Sequence, residues 1–313
     1  MKRAFIFPGQ GSQAVGMGRS LADAFSAARW LYQEIDEALG QKLSRLMFEG
    51  PEDELTLTEN AQPALLAASL AVMRVLETEG GLALGRDVAY VAGHSLGEYS
   101  ALAAGGAVAV TDAARLLKLR GQAMQKAVPP GGGAMAALLG LDVEAARAVA
   151  AEAAQNEICA VANDNAPGQV VVSGHRGAVE RAAQIARERG ARRSILLPVS
   201  APFHSPLMAP AAVTMAQALD AAALSAPLVP LVANVSAGPV CDPIEIEHLL
   251  VEQVTAMVRW RESVLRLAAS GVEEVVEIGA GRVLAGLVKR TAPDLATRSV
   301  GAAAELETFM KEL

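Results

Sequence analysis

Val91-Ala92-Gly93-His94-Ser95-Leu96-Gly97-Glu98 sets a serine between two glycines in the pattern G-x-S-x-G. Upstream, residues 88–92 are apolar and read as a buried strand. Downstream, residues 98–105 are mostly small and read as a helix, so Ser95 falls on a tight strand-to-helix turn. On such a turn the glycines remove Cβ atoms that would otherwise collide. The first amides of the helix then aim N–H groups and partial positive charge at an oxyanion formed beside the serine. A nucleophile is therefore expected at Ser95.

Outward from this turn, apolar segments at 3–7, 88–93, 228–233 and 273–278 alternate with amphipathic stretches at 61–79, 111–127, 206–222, 260–270 and 281–291. The alternation predicts an α/β fold with a mostly parallel sheet covered by helices. The middle of the chain reads differently. Pro129-Pro130-Gly131-Gly132-Gly133 breaks the pattern, and the order becomes strand (134–140), helix (142–156), strand (158–162), strand (169–173), helix (176–189), strand (193–197). Asn163 to Gly168, dense in turn formers, reads as the turn between the two central strands. That βαββαβ order is the ferredoxin-like arrangement. The chain thus divides into a catalytic domain of residues 1–128 and 199–313 and an inserted ferredoxin-like domain of residues 129–198, with the substrate cleft expected between them.

Composition narrows the function. At 313 residues, with 52% hydrophobic and 19% charged residues, the chain can bury a large core of Ala, Val, Leu and Met. A net charge of −7 argues against nucleic acid as the main partner. Cys159 and Cys241 are far apart and lack metal-ligand spacing, so neither a disulfide nor a metal site is expected, which fits a reducing cytosol. The apolar run near the N-terminus is too short for a signal peptide, and no run approaches the roughly 18 residues of a membrane span. A soluble, cytoplasmic protein is the expectation.

A serine nucleophile needs a base, and the chain has 4 histidines. His94 neighbours Ser95 on an extended backbone, points away from it and is expected to pack beneath the turn. His175 lies in a turn of the inserted domain, and His248 in an acidic, solvated helix. His204 sits in Val199-Ser200-Ala201-Pro202-Phe203-His204-Ser205-Pro206, an apolar loop stiffened by prolines at the return from the inserted domain. It is the expected base.

Four segments together resemble one family, the malonyl-CoA:acyl carrier protein transacylases of type II fatty acid synthesis. They are Phe7-Pro8-Gly9-Gln10-Gly11-Ser12-Gln13, Gly93-His94-Ser95-Leu96-Gly97-Glu98-Tyr99, Arg120-Gly121-Gln122-Ala123-Met124-Gln125 and Pro202-Phe203-His204-Ser205. Asn163 to Gly174, Glu252-Gln253-Val254 and Gly279 to Leu284 agree as well, so the resemblance spans nearly the whole chain. It implies an α/β-hydrolase-like core with a ferredoxin-like insertion. It also implies Ser95 as nucleophile, His204 as base and an oxyanion hole of main-chain N–H groups at Gln10 and Leu96. Gln253 would supply a main-chain carbonyl that orients the imidazole in place of a carboxylate. Met257 and Ala280 stand where relatives often have proline, which affects loop stiffness and leaves the chemical assignment intact.

The resemblance also implies a substrate. On sequence alone Arg120, in the helix from Thr111 to Ala127, reads as a solvated or snorkelling arginine. In the family its planar guanidinium would grip the free carboxylate of a malonyl group, and an acetyl group would leave it unpaired. Asn163 belongs to a matching segment and is assigned to substrate binding with Arg120 and Gln253. Phe203, before the base, resembles the malonyl-selecting residue of polyketide synthase acyltransferase domains, although packing beside the prolines accounts for it equally. The implied reaction is ping-pong transfer of malonyl from malonyl-CoA to holo acyl carrier protein through malonyl-serine, by a monomer that needs no cofactor. Arg192, Arg193, Lys289 and Arg290 are candidates for a local basic patch that receives an acidic carrier. A serine hydrolase of thioesters would share Ser95 and His204 but gives no reason for Arg120 or the Pro8 to Gln13 motif.

Overall fold

The computed structural model describes residues 1–313 and is an α/β fold with ten strands in two sheets. In chain order the strands are β1 (Arg3–Phe7), β2 (Tyr90–Gly93), β3 (Gly133–Leu139), β4 (Cys159–Ala166) and β5 (Gln169–His175). They continue with β6 (Arg193–Leu196), β7 (Leu231–Val232), β8 (Pro239–Val240), β9 (Glu274–Ile278) and β10 (Ala296–Val300). The larger sheet runs β10-β9-β1-β2-β7-β8 and is parallel except for the β7–β8 pair. β1 and β9 lie inside it, each between two parallel neighbours, and are buried along nearly their whole length, as parallel strands covered on both faces must be. No helix is long and apolar enough to cross a membrane.

The smaller sheet is antiparallel, in the order β4-β5-β3-β6. Its strands and the helices Val143–Ala154 and Arg176–Glu188 follow the βαββαβ order read from the sequence. One face packs Ala136, Leu138, Val170 and Val172 against those two helices. The opposite face, with Met135, Ala137 and Val171, joins the main core. The small sheet is thereby fixed against the large one.

Three departures from the sequence reading have physical causes. The apolar segment 228–233 supplies only the two residues of β7, and Leu228 is exposed. Pro227 and Pro230 lack the N–H that a longer ladder needs. Asn163 to Gly168 is not all turn: β4 continues to Ala166, leaving Pro167 and Gly168 as the tip. Tertiary partners override turn propensity there, since Asp164 N bonds Val258 O at 3.0 Å and Arg261 Nε bonds the Asp164 carboxylate at 2.8 Å. β10 was unforeseen because Ala296-Thr297-Arg298-Ser299-Val300 is a polar edge strand with one buried residue. The helices Ser26–Leu39 and Leu43–Glu49 also lie in a stretch whose elements the sequence reading left unassigned.

Candidate active site

Ser95 stands between the end of β2 and the helix Gly97–Ala104, on the expected turn. Its φ is +54°, a left-handed conformation costly for a residue with a Cβ. The flanking glycines make the turn possible. A Cβ on Gly93 would lie 1.9 Å from Gly97 C, and one on Gly97 would lie 2.2 Å from Phe7 O. Asn234 ties the turn down: its Oδ1 accepts from Ser95 N at 2.7 Å and its Nδ2 donates to Gly93 O at 2.7 Å.

His204 approaches from the loop before the helix Ala209–Ala222. Its Nε2 is 2.8 Å from Ser95 Oγ and its Nδ1 is 2.8 Å from Gln253 O. A carbonyl can only accept, so Nδ1 carries the proton and Nε2 faces the serine as the acceptor. Burial, followed by the charge of Arg120, pulls the His204 pKa down to about 3. The ring is therefore neutral at physiological pH. No carboxylate orients it; the main-chain carbonyl of Gln253 holds that place.

Arg120, on the helix Val110–Lys126, is 1% exposed rather than solvated. Its Nη2 donates to Ser95 Oγ at 3.1 Å and to Gln253 Oε1 at 2.8 Å, while Nη1 donates to Gln62 Oε1 at 2.9 Å. The Nε–H has no partner. The guanidinium lacks a counter-ion in hydrogen-bonding contact, although it retains unused donors beside the nucleophile. Its helix is held against the start of the helix Thr58–Thr78, where Gln122 Nε2 donates to Glu59 at 2.9 Å and Gln125 Oε1 accepts from Glu59 N at 3.2 Å.

These groups line a cavity of about 450 Å³ between the two sheets. Gln10, Ser95, Leu96, Arg120 and His204 come from the larger part, and Met135, Asn163 and Val171 from the small sheet. The Ser95 amide is taken by Asn234, whereas the Gln10 and Leu96 amides have no acceptor within the protein. Two free N–H groups beside a serine suit an oxyanion.

A scan of family models matches the acyl transferase domain over residues 4–308. The malonyl CoA-acyl carrier protein transacylase of Bacillus subtilis strain 168 is 46% identical over 313 residues, covering 100% of this chain and 97% of that protein. The enzyme of the same name from Escherichia coli K12 is 46% identical over 287 residues, 92% of each chain. Among solved structures, an acyl-carrier-protein-S-malonyltransferase from Bartonella henselae superposes with a TM-score of 0.97 at 53% identity, covering 100% of this chain and 99% of that one. A malonyl-transacylase in complex with its type II polyketide synthase acyl-carrier protein gives 0.96 at 43% identity, with 100% coverage of both chains. The chain belongs to the acyl transferase family.

In this acyltransferase, Ser95, His204, Arg120, Gln10, Leu96, Asn163 and Phe203 all reach the cavity. Gln253 does not. It is wholly buried behind the cavity, where its carbonyl meets His204 and its amide meets Arg120, so it lies out of reach of a substrate. His94 departs from expectation in the other direction. The left-handed backbone at Ser95 breaks the alternation of an extended chain, and His94 lines the cavity with Nε2 2.8 Å from Asn165 Oδ1. His248 is exposed as expected, and His175 Nδ1 accepts from Ile158 N at 2.9 Å. The sequence reading missed Gln62 and Asn234. Each is a lone amide in an apolar run, Ala61 to Leu66 and Leu231 to Val235, which was the available signal.

Proposed function

We propose that the protein transfers malonyl from malonyl-CoA to the phosphopantetheine thiol of acyl carrier protein through malonyl-Ser95, supplying malonyl units for fatty acid chain elongation. The observation that carries this reading is the position of Arg120. A buried guanidinium without a contacting counter-ion lies 3.1 Å from the nucleophile's oxygen, where the free carboxylate of a malonyl ester would fall. An acetyl ester offers it nothing. The relatives named above are malonyl transacylases, and one was solved with a carrier protein.

In the proposed cycle His204 Nε2 takes the Ser95 proton as Oγ attacks the thioester carbonyl, and the Gln10 and Leu96 amides receive the oxyanion. Donors of this kind are commonly worth about 3–4 kcal/mol in kcat. The tetrahedral intermediate collapses, the C–S bond breaks, and His204 returns the proton to the departing thiolate of coenzyme A. The carrier's thiol then loses its proton to Nε2 and attacks the Ser95 ester, the bond from the acyl carbon to Oγ breaks, Nε2 returns the proton to Ser95 Oγ, and the carrier leaves with the malonyl group. Arg120 has a second effect. Its charge helps hold the His204 pKa down, and a substrate carboxylate that neutralises it makes His204 a stronger base when malonyl is seated. One thioester is exchanged for another, so the cycle as proposed uses no cofactor.

The finer architecture belongs to the same reading: an α/β-hydrolase-like core of residues 1–128 and 199–313, a ferredoxin-like insertion of residues 129–198, and catalysis in the cleft between them. Each is consistent with the strand orders and with a cavity lined from both sheets. Action as a monomer in the cytoplasm completes it. Product analysis tests the reaction. Incubation with malonyl-CoA and holo carrier protein is expected to yield malonyl carrier and free coenzyme A; free malonate with unmodified carrier would indicate a hydrolase.

A further inference from the structure

Glu98 takes no part in the steps above, yet it joins the two residues that hold the reacting groups. It lies in the first turn of the helix Gly97–Ala104, is 1% exposed and does not line the cavity. Its Oε1 accepts from Asn234 N at 2.6 Å, and its Oε2 accepts from Gln253 Nε2. Asn234 fixes the backbone on both sides of the nucleophilic turn. Gln253 Nε2 also donates to Ser95 O at 2.9 Å, its Oε1 accepts from Arg120, and its main-chain oxygen accepts from His204.

We propose that Glu98 is a positioning residue for malonyl selection: by accepting from Gln253 Nε2 it fixes which way that amide faces, so that Gln253 Oε1 holds the Arg120 guanidinium beside Ser95. The inference rests on Arg120 being the group that receives the malonyl carboxylate.

The two ends of a glutamine amide have nearly the same shape, so the orientation of a buried one is set by its partners. Here one end faces an anion and the other a cation. A flipped Gln253 would turn its oxygen toward the Glu98 carboxylate and its –NH2 toward Arg120, two repulsive contacts in a dry interior where neither is screened. Burial pushes the Glu98 pKa up to about 8, against the N–H donors and Arg120, which lower it. A protonated carboxyl would set an O–H against one of those donors, so the bonded arrangement is that of the anion, present above about pH 8 and lost as pH falls through that value. A flip also gives up the bond to Ser95 O, which every donor shares, so only the contact with Arg120 discriminates between malonyl and acetyl. His204 is held by the Gln253 main chain, which an amide flip leaves in place.

Glu98→Gln keeps the volume and inverts one contact. The Asn234 amide can only donate, so the new side chain keeps its oxygen there and turns –NH2 toward Gln253, which then either meets it with its own –NH2 or flips and turns that –NH2 toward Arg120; both arrangements loosen the hold on the guanidinium. The test measures initial rates of Ser95 acylation by malonyl-CoA and by acetyl-CoA above about pH 8, where Glu98 is ionised. It compares the wild type, Glu98→Gln, Gln253→Met and the double variant, each first shown to be folded by thermal melting. The malonyl-over-acetyl ratio is expected to fall by about tenfold or more in Glu98→Gln, chiefly through KM for malonyl-CoA. It should fall similarly in Gln253→Met and no further in the double variant, because one amide carries both effects. A ratio within about twofold of wild type in folded Glu98→Gln, or losses that multiply in the double variant, overturns the proposal. A parallel drop with both donors also overturns it, since that is what a purely structural residue would give. If Glu98→Gln does not fold, Gln253→Met decides: an unchanged ratio there removes the link through which Glu98 acts. Failure of the wild type to take malonyl at all would defeat the proposed function instead.

Discussion

His204 can accept the Ser95 proton only while neutral, and the same burial that keeps it neutral makes the protein sensitive to acid. The ring protonates near pH 6.5 in the unfolded chain but not until about 3 in the folded one. Its contribution to stability is therefore complete above about pH 6.5 and is lost as pH falls toward the folded value, by about 1.4 kcal/mol per pH unit for one such group. Half-buried His94, also held below its ordinary value by desolvation, adds a loss of the same sign. His204→Gln is expected to be inactive yet to lose stability less steeply between pH 6.5 and about 4.5, as denaturant melts across that range would reveal; an unchanged slope would mean that His204 is protonated in the folded state. Arg120→Ala is expected to lower kcat/KM for malonyl-CoA by roughly 10- to 100-fold while sparing acetyl-CoA, from the cost of one lost charged partner. Selectivity unaltered by that change would remove Arg120 from substrate recognition. Among these residues, the meeting of Ser95 and His204 was legible because motif and elimination both pointed to them. Arg120 was not legible without the family resemblance, since an arginine on an amphipathic helix looks the same whether its head reaches water or an active site.

The close approach of two helices places Arg120. Gly121, next to it on the helix Val110–Lys126, faces the start of the helix Thr58–Thr78 so tightly that an added Cβ would lie 2.5 Å from Glu59 Cα. Gly121→Ala must spread the two helices. It is expected to cost about 1–3 kcal/mol of stability, as other overpacked contacts do, and to lower malonyl transfer by moving the guanidinium away from Gln62. Chemical denaturation and kcat/KM measured together check this, and full activity would show that the helix contact does not set the position of Arg120. The long elements Thr58–Thr78 and Val110–Lys126 could be read from the sequence to within about three residues, the second because its burial follows the helical repeat and the first because it is a long run of apolar helix formers, buried nearly all round. The extent of β4 could not. Asn163, Asp164 and Asn165 favour a turn locally, and pairing with β5 together with Val258, Arg261 and His94, distant in sequence, holds them extended.

Across the whole molecule the two sheets cooperate twice. Their faces enclose the cavity, and the far end of the small sheet gathers positive charge on a protein of net charge −7. At that end Arg192 N bonds Leu139 O, Gly140 N bonds Gly168 O, and Arg290 reaches from its helix to Gln169 and Pro167 O. Arg192, Arg193 and Arg290, scattered in sequence, are thereby exposed around one β-hairpin tip, while Lys289, next to Arg290, is exposed on the side of its helix that faces β10. Transfer from malonyl-Ser95 to holo carrier protein is expected to slow as salt rises from low to physiological ionic strength, with Ser95 malonylation slowing less. Equal salt effects on the two half-reactions would place carrier docking elsewhere. In the proposed cycle both half-reactions depend on Ser95 becoming a malonyl ester whose carboxylate meets Arg120, a partner that an acetyl ester lacks. Intact-protein mass spectrometry after brief exposure to malonyl-CoA or acetyl-CoA, with Ser95→Ala alongside, reads that ester directly. The expected result is a single malonyl adduct, absent in Ser95→Ala, scarce with acetyl-CoA and discharged by holo carrier protein; an adduct that persists in Ser95→Ala, or acetyl and malonyl adducts in equal yield, would contradict it.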